Sequence, residues 1–361
     1  MGKINLQATR VTRAYSEVLN RGYDELTSWA VVHHRCVPAS LSKDSEGMTQ
    51  LLIDYVQSCF DRRLSLAVGR RAILPVQHRH RRLVGELRGA WDSISSWQQH
   101  RPGTLRVPCP EVIAQGIFVT ALLKGFWLEP EKAQQWISFG ILVWVAWCGL
   151  LRPVEAVNLR GRDVVLPSLL VSALENKTIL SIKNPPNRRY LGREQVSQVD
   201  DALSTRWLRW LVDGLPPELK LFSGSTATFR KLFSECCTEL GIAHLKLTPA
   251  SLRAGGATHQ FVGGMETGRL RILGRWRCLK SLDHYVQIAS SALTLIKVSD
   301  ESHCLLASLK KRASVFDLPP REPWTFFFDR RLQVEARKRW ISNGLQRQSR
   351  RPRPTLQLVG R

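Results

Sequence analysis

Residues 136–151 read WISFGILVWVAWCGLL, a run that is apolar on every side of a helix. A helix with no polar face has to be surrounded by protein or lipid. The run is shorter than the roughly 20 apolar residues that a membrane span needs, so it predicts a helix over 131–149 buried in the middle of a folded domain. A second apolar helix is predicted to begin at Glu111, with Ile113, Ile117, Phe118, Ala121 and Leu122 as its packing residues. A hydrophobic content of 43% permits a core of this kind, and 361 residues leave room for two or three domains.

Arg152 and Pro153 follow the apolar run, and Glu155 stands three residues after the arginine. Proline at a first helical position starts a short helix, for which Val154, Val157 and Leu159 supply apolar contacts. A cation at a helix N-terminus opposes the helix dipole, so the placement of Arg152 points to a functional demand. Residues 163–190 read as a small sheet. VVLPSLLVSAL and KTILSIK are apolar and β-branched, and Asn184-Pro185-Pro186-Asn187 marks a turn. Lys183 closes the second run. Helices are predicted over 202–212, with Trp207, Leu208, Trp210 and Leu211 inward, and over 222–241, started by Thr226 or Thr228 and ended by Gly241.

The densest chemistry lies in TPASLRAGGATHQFVGGMETGRLRILGRWRCLKSLDHY, residues 248–285. Thr248-Pro249 starts a helix that carries Arg253 and stops at Gly263-Gly264. A short basic segment with Leu270, Ile272 and Leu273 breaks at Gly274, and Arg275 and Trp276 come next. Ser281 is expected to cap a further helix with Tyr285 in its first turns, running on through Ile288, Ala289, Leu293 and Ile296. A guanidinium fork matches two phosphate oxygens, and an indole N–H donates one more hydrogen bond. A tyrosine hydroxyl is a useful nucleophile only where neighbours stabilise its oxyanion and the charge growing on the target. Arg253, Trp276 and Tyr285, on successive short helices, are therefore candidates to converge on one phosphate.

These residues resemble the last two boxes of the tyrosine recombinases, the phage-integrase family. In that family an H-x-x-R box is followed by a G-[HW] turn and then a tyrosine nine residues on. Here Tyr285 is nine after Trp276, and SLRAGGATH, with Ala257, Thr258 and His259, looks like the family's LRHTFATH. Arg152 with Glu155 and Leu159 is similar to the first box. The resemblance covers roughly 111–295, and its LRP…E and GRW forms look nearer to the DIRS-like recombinases of eukaryotic retroelements than to bacterial ones. It implies a fold that is mainly α with a small antiparallel β-sheet (α+β), a helical N-terminal domain preceding a catalytic domain. It also implies a catalytic lysine on a β-hairpin, for which Lys183 is the match and Lys177 the competing choice.

The implied reaction is a DNA strand transfer on double-stranded DNA, carried out by a homo-oligomer, a tetramer in the family. Tyr285 attacks a backbone phosphate and leaves a 3′-phosphotyrosyl bond with a free 5′-hydroxyl. Arg152 and Arg253 bind the non-bridging oxygens, Trp276 donates to the same phosphate, and Lys183 protonates the departing oxygen. No cofactor is implied, because the covalent link conserves the phosphodiester energy, and the sequence offers no carboxylate cluster for magnesium. One position departs from the pattern: Ala250 stands where the box histidine belongs. His244 and His259 are the histidines near enough in sequence to consider in its place. Two other readings stay open, a DNA-binding protein that keeps the fold without catalysis and an enzyme resembling the type IB topoisomerases.

Charge agrees with a polyanionic partner. The net charge is +23 and the sequence pI ≈ 10.4, and basic side chains that meet phosphates release counterions. In the N-terminal part, helical spacing is clear for Tyr15, Val18, Leu19, Tyr23 and Leu26 and for Leu51, Leu52, Tyr55, Val56, Cys59 and Phe60. A further helix is expected to carry Leu83, Val84, Leu87, Trp91 and Ile94, with arginines such as Arg70, Arg71, Arg81 and Arg82 flanking it as a clamp for DNA backbone. His33-His34 point apart on a helix and make a poor metal site.

HRPGTLRVPCP, residues 100–110, breaks both patterns and marks a domain boundary. The expected division is an N-terminal extension over 1–46, a helical core-binding domain over 47–103, a catalytic domain over 104–310 and a basic tail over 311–361. The tail holds an aromatic cluster, Trp324 to Phe328, and the run RQSRRPRP, which fits a non-specific DNA-binding segment or a nuclear import signal. The eight cysteines are scattered without a C-x-x-C pair, which argues against a zinc site or disulfide framework and for a reducing intracellular compartment. No signal peptide is visible at the N-terminus.

Overall fold

The computed structural model describes residues 11, 13–101, 107–128, 130–167, 177–185, 187–317 and 319. They fall into two compact units, 1–104 and 105–361. The aromatic cluster and the Arg-rich run of the tail lie outside the described residues, as do 102–106 of the expected boundary and 168–176 of the first expected strand.

The first unit is helical. Helices α1 (Arg13–His34), α2 (Ser45–Asp61), α3 (Leu66–Arg79) and α4 (Arg88–His100) close around one apolar cluster. Asp44 caps α2 by accepting from the Gly47 N–H at 2.9 Å. The α2 stripe Met48, Leu51, Leu52, Tyr55, Val56 and Cys59 is buried, as the spacing requires. Tyr23, Leu26 and Ala30 of α1 join the same cluster, so part of the segment set apart as an extension is core here. Two features differ from the sequence reading. Leu83 ends a 3-10 turn and Val84 is exposed, so the helix expected from Leu83 starts only at Arg88, after the chain reverses at Gly85. Residues 66–79, read only as basic flank, form α3 and bury Ala72, Ile73 and Val76.

The second unit is built on α5 (Glu111–Trp127) and α6 (Pro130–Cys148). Helix α6 is encased as its sequence demands: Ile137, Phe139, Leu142, Val143 and Val145 are all fully buried. Two of its three indoles donate inside the protein, Trp144 Nε1 to Asp201 Oδ2 at 2.9 Å and Trp147 Nε1 to the Cys109 carbonyl at 3.0 Å. After α6 come α7 (Pro153–Asn158), the strands β1 (Val164–Val165) and β2 (Thr178–Lys183), the short helix α8 (Arg188–Leu191) and β3 (Glu194–Val199). The three strands form an antiparallel sheet in the order β1-β2-β3, with Val164 opposite Leu180 and Lys183 opposite Glu194. The sheet therefore extends past Tyr190, where the sequence reading ended it. EQVSQV buries alternate residues, Gln195, Ser197 and Val199, so polar side chains stand where the strand pattern calls for apolar ones.

Helices α9 (Ala202–Val212) and α10 (Thr226–Glu239) follow. The N-cap of α10 is Ser225, one residue before Thr226 and three before Thr228, the two starts expected, and the Thr228 side chain accepts from the Ser225 N–H. The chain then runs through α11 (Pro249–Val262), α12 (Thr267–Leu273), α13 (Leu279–Asp283), α14 (Ile288–Ile296) and α15 (Asp300–Ala313). Phe316, inside the segment read as tail, is buried in the main core, and its carbonyl accepts from Trp207 Nε1 at 2.8 Å. The unit is mainly α with a small antiparallel sheet, as expected. No helix among the described residues is long and apolar enough to cross a membrane.

Candidate active site

Two local departures from regular geometry create the site. Two residues beyond the end of helix α6, Leu150 sits in the left-handed region at φ 51 although it carries a side chain. The Leu150 carbonyl is thereby turned toward α11. Arg275, after α12, is also left-handed at φ 57. Such conformations cost about 1–3 kcal/mol each and persist where the surroundings over-determine them.

Arg253 lies on the inner side of α11 and is 1% exposed. Its Nη1 donates to the Leu150 carbonyl at 2.6 Å and its Nη2 to the Gly274 carbonyl. The guanidinium carbon lies 4.4 Å from the Trp276 ring centre and 5.4 Å from that of Tyr285. The two rings are 5.0 Å apart and tilted, so the cation is roofed by two π faces. Arg253 Nε, Arg275 Nε and Trp276 Nε1 are buried donors with no partner among the described residues. Burial, with the nearby Arg152 and Arg275 charges, pushes the Arg253 pKa down, against Glu155 and Tyr285.

Helix α11 reaches this position because it carries Gly255-Gly256. A Cβ at Gly255 would lie 1.8 Å from the Cys109 carbonyl oxygen and one at Gly256 2.0 Å from that of Trp147. Gly274 is needed for a similar reason, since a Cβ there would fall inside the Trp276 ring.

Arg152 enters through Glu155. It is the N-cap residue of α7, and its backbone N–H donates to Glu155 Oε2 at 2.9 Å. Its guanidinium Nη1 donates to Glu155 Oε1 at 2.6 Å, with 22% of the side chain exposed. Arg275 Nη2 donates to Glu155 Oε2, also at 2.6 Å, and to the Leu150 carbonyl at 3.3 Å. Glu155 is 5% and Arg275 4% exposed. Burial raises the Glu155 carboxyl, but Arg275, Arg152 and the Arg152 backbone outweigh it and leave the pKa below its ordinary value. Burial lowers that of Arg275, with Glu155 opposing.

Tyr285 is placed differently from the expectation. Cys278, not Ser281, is the N-cap of α13, and Ser281 lies inside that helix. The helix stops at Asp283, so Tyr285 lies in a link before α14 rather than in a continuous helix, and Trp276 lies in the turn between α12 and α13. This backbone is tied to α11: the buried Thr258 hydroxyl accepts from the Gln287 N–H at 3.1 Å and shares its one proton between the Ala254 carbonyl at 2.9 Å and the Tyr285 carbonyl at 3.1 Å. Trp276 belongs to a small apolar cluster with Leu150, Ala257, Leu270 and Leu282, against which Tyr285 packs, separate from the main core.

Arg152, Arg253, Trp276 and Tyr285 are thus brought together around Leu150 and Glu155. Lys183 stands in an adjoining cleft of ≈ 570 Å³ that Glu155 also lines, together with Arg160, Arg162, Arg188 and Lys220. Its Nζ is 3.4 Å from Asp163 Oδ1, and its side chain is 40% exposed. Lys177 precedes the other end of β2, roughly 20 Å of strand away. Neither candidate histidine is found among the partners of these groups. His244 bonds the Lys297 carbonyl at 2.9 Å, while His259 packs its ring 4.8 Å from Trp147 and lies 3.7 Å from Glu111. Sequence reasoning passed over Arg275 and Thr258 as site components. The only signal for Arg275 was a charged residue wedged between a glycine and a tryptophan.

No family model matches the sequence, and no curated protein matches it. Among solved structures, the chain is similar to the XerH site-specific recombinase bound to its difH substrate, with 15% identity over 76% of this chain and 77% of that one and a TM-score of 0.46. It is similar to the Tn1549 transposon integrase in complex with transposon right-end DNA at 11% identity, 81% and 97% coverage and a TM-score of 0.45. It is also similar to the XerA recombinase at 16% identity, 81% and 93% coverage and a TM-score of 0.39.

Proposed function

We propose that this chain is a tyrosine-type DNA recombinase or integrase, of the kind found in mobile elements, that cleaves and rejoins DNA through a phosphotyrosyl intermediate on Tyr285. The observation that carries the reading is the meeting of Arg152, Arg253 and Arg275, distant in the chain, beside one phenol and one indole. Buried cations without matching anions are costly, and buried donors without acceptors are rare. Three guanidinium groups, one carboxylate and three donors unpartnered among the described residues make sense where a doubly coordinated anion is to be received.

In the proposed reaction the Tyr285 ring swings off Arg253 and a backbone phosphate takes its place. Tyr285 Oη forms a bond to phosphorus as the P–O5′ bond breaks. Arg152 and Arg253 hold the non-bridging oxygens, whose charge grows in the transition state, and preorganised donors act most strongly there. Trp276 Nε1 supplies a further hydrogen bond. Lys183 gives a proton to the departing 5′-oxygen. With Ala250 in the first turn of α11, no histidine takes the phenolic proton, which passes to water. Partners are double-stranded DNA and further copies of the chain, assembled as a tetramer. The DIRS-like character of the GRW turn and a nuclear location belong to the same proposal, as does the division into clamp, catalytic domain and basic tail.

Ala250 favours a second reading, a DNA-binding protein that keeps the fold and has lost catalysis. A pool of nicked duplexes of randomised sequence separates the two. The wild type is expected to form a covalent protein–DNA adduct on a denaturing gel, and Tyr285→Phe to form none. Absence of the wild-type adduct with DNA binding intact would establish the second reading. A single 5′-bridging phosphorothiolate tests Lys183, because a thiolate leaves without a proton. Lys183→Ala is expected to lose activity on the oxygen substrate and keep it on the sulfur one.

A further inference from the structure

The candidate site contains a carboxylate that works against it. Glu155 lies against Arg152 through two hydrogen bonds, one from the backbone and one from the guanidinium. A buried carboxylate at 2.6 Å from a cation cancels much of that cation's attraction for any other anion. Arg275 meets the same carboxylate from the other side, at 2.6 Å and with only 4% of its side chain exposed. It is too deeply placed to touch a substrate lying against Arg152. Its remaining bonds go to main-chain carbonyls of Leu273 and Leu150. Its backbone is left-handed at φ 57, a conformation that favours glycine over arginine. An arginine held in an unfavourable backbone state, buried and aimed at one carboxylate, indicates a task for its charge.

We infer that Arg275 is a positioning residue that neutralises Glu155, leaving Arg152 fixed by the carboxylate but still able to bind an anion. The inference rests on the reading of this site as a phosphoryl-transfer centre and deepens it. Glu155 is needed as a geometric anchor, because it joins the start of α7 to the Arg152 fork. Without Arg275, the anchor and Arg152 would form a closed ion pair, and only Arg253 would remain to meet the substrate. With Arg275, two guanidinium groups meet the one carboxylate while Arg253 is held by main-chain carbonyls, so that three cations and one anion leave two positive charges uncompensated. This matches the two non-bridging oxygens of a phosphodiester in its attacked form. The sequence departs from the family pattern at Ala250, and a retained second charge on Arg152 is one way for catalysis to survive that loss.

The test is a double-mutant cycle on the full chain, read as the rate of covalent adduct formation with the best-trapped nicked duplex. Arg275→Met keeps the length of the side chain and removes its charge. It is expected to slow adduct formation on the order of 10²-fold, the usual consequence of losing one preorganised electrostatic partner. Adding Glu155→Gln removes the carboxylate that Arg275 had neutralised. The double variant is expected to recover to within about tenfold of the wild type. Arg275→Lys, which keeps the charge, is expected to stay near wild type. A merely structural Arg275 would give a double variant at least as slow as the single one, because two buried partners would then be gone. That result, or an Arg275→Met adduct forming at the wild-type rate, overturns the inference and leaves the recombinase reading standing. Should Arg275→Met fail to fold, the double variant still decides, since replacing both members of a buried pair is better tolerated than removing one. Absence of any adduct from the wild type overturns both proposals.

Discussion

Arg253 gives one guanidinium nitrogen to the Leu150 carbonyl and another to that of Gly274, so its orientation is fixed by main chain at the left-handed Leu150 and just before the left-handed Arg275. The roles of neighbouring side chains follow from what they hold. Thr258 ties the Tyr285 link to α11 through its hydroxyl. Thr258→Val keeps the shape and removes the hydroxyl, and is expected to cost about 1–3 kcal/mol by stranding buried backbone groups. Adduct formation should fall more than thermal stability does, measurable as a rate loss at a temperature well below the Tm of the variant. Ala250 is half-buried in the first turn of α11. Ala250→His restores a proton acceptor at the box position and is expected to raise the adduct rate on the order of 10²–10³-fold. Glu155 sets a pH dependence. Its folded pKa is depressed, so the stability it contributes is full above the ordinary carboxyl value of about 4.3 and is lost as pH falls through the lower folded value. Urea midpoints of the wild type should therefore drop in that acid window, and those of Glu155→Gln should be flatter there.

At the scale of elements, the approach of α11 to α6 depends on two adjacent glycines. Gly256→Ala places a methyl 2.0 Å from a main-chain oxygen that cannot rotate away. It is expected to destabilise by about 1–3 kcal/mol or more, seen as a lower Tm, and to displace Arg253 with the helix. The same elements show how far the sequence could be read. The all-apolar pattern of α6, the Pro153 start of α7, the Thr248-Pro249 start of α11 and the break at Gly274 are local signals, and each was legible. β3 was not, because Gln195 and Ser197 are buried by tertiary bonds, Ser197 Oγ to the Gly149 carbonyl at 2.5 Å. Nor was the end of α13, since the residues around Tyr285 have no breaker among them, and the bonds that Thr258 makes to this link come from α11, far off in the chain.

At the scale of the whole molecule, the charge of +23 dominates long-range behaviour. Affinity for non-specific duplex DNA is expected to fall by about 10³-fold or more between 50 and 200 mM salt, as counterion release predicts for 6–10 phosphate contacts. Fluorescence anisotropy across a salt series checks this, and a flat profile would contradict a polyanion-binding surface. The sequence by itself determined that an apolar helix would be wrapped by others and that a small sheet would interrupt the helices, and it made Arg253, Trp276 and Tyr285, on successive short segments, candidates to meet. Those properties reside in periodicity, caps and residue chemistry, which act over a few residues. Only the tertiary structure decided that Arg275 shares Glu155 with Arg152, that Arg253 lies under two rings, and that Lys183 occupies the neighbouring cleft. Each of these depends on side chains separated by up to 120 positions in the chain meeting at hydrogen-bond distance, and no local pattern encodes which of many arginines will do so.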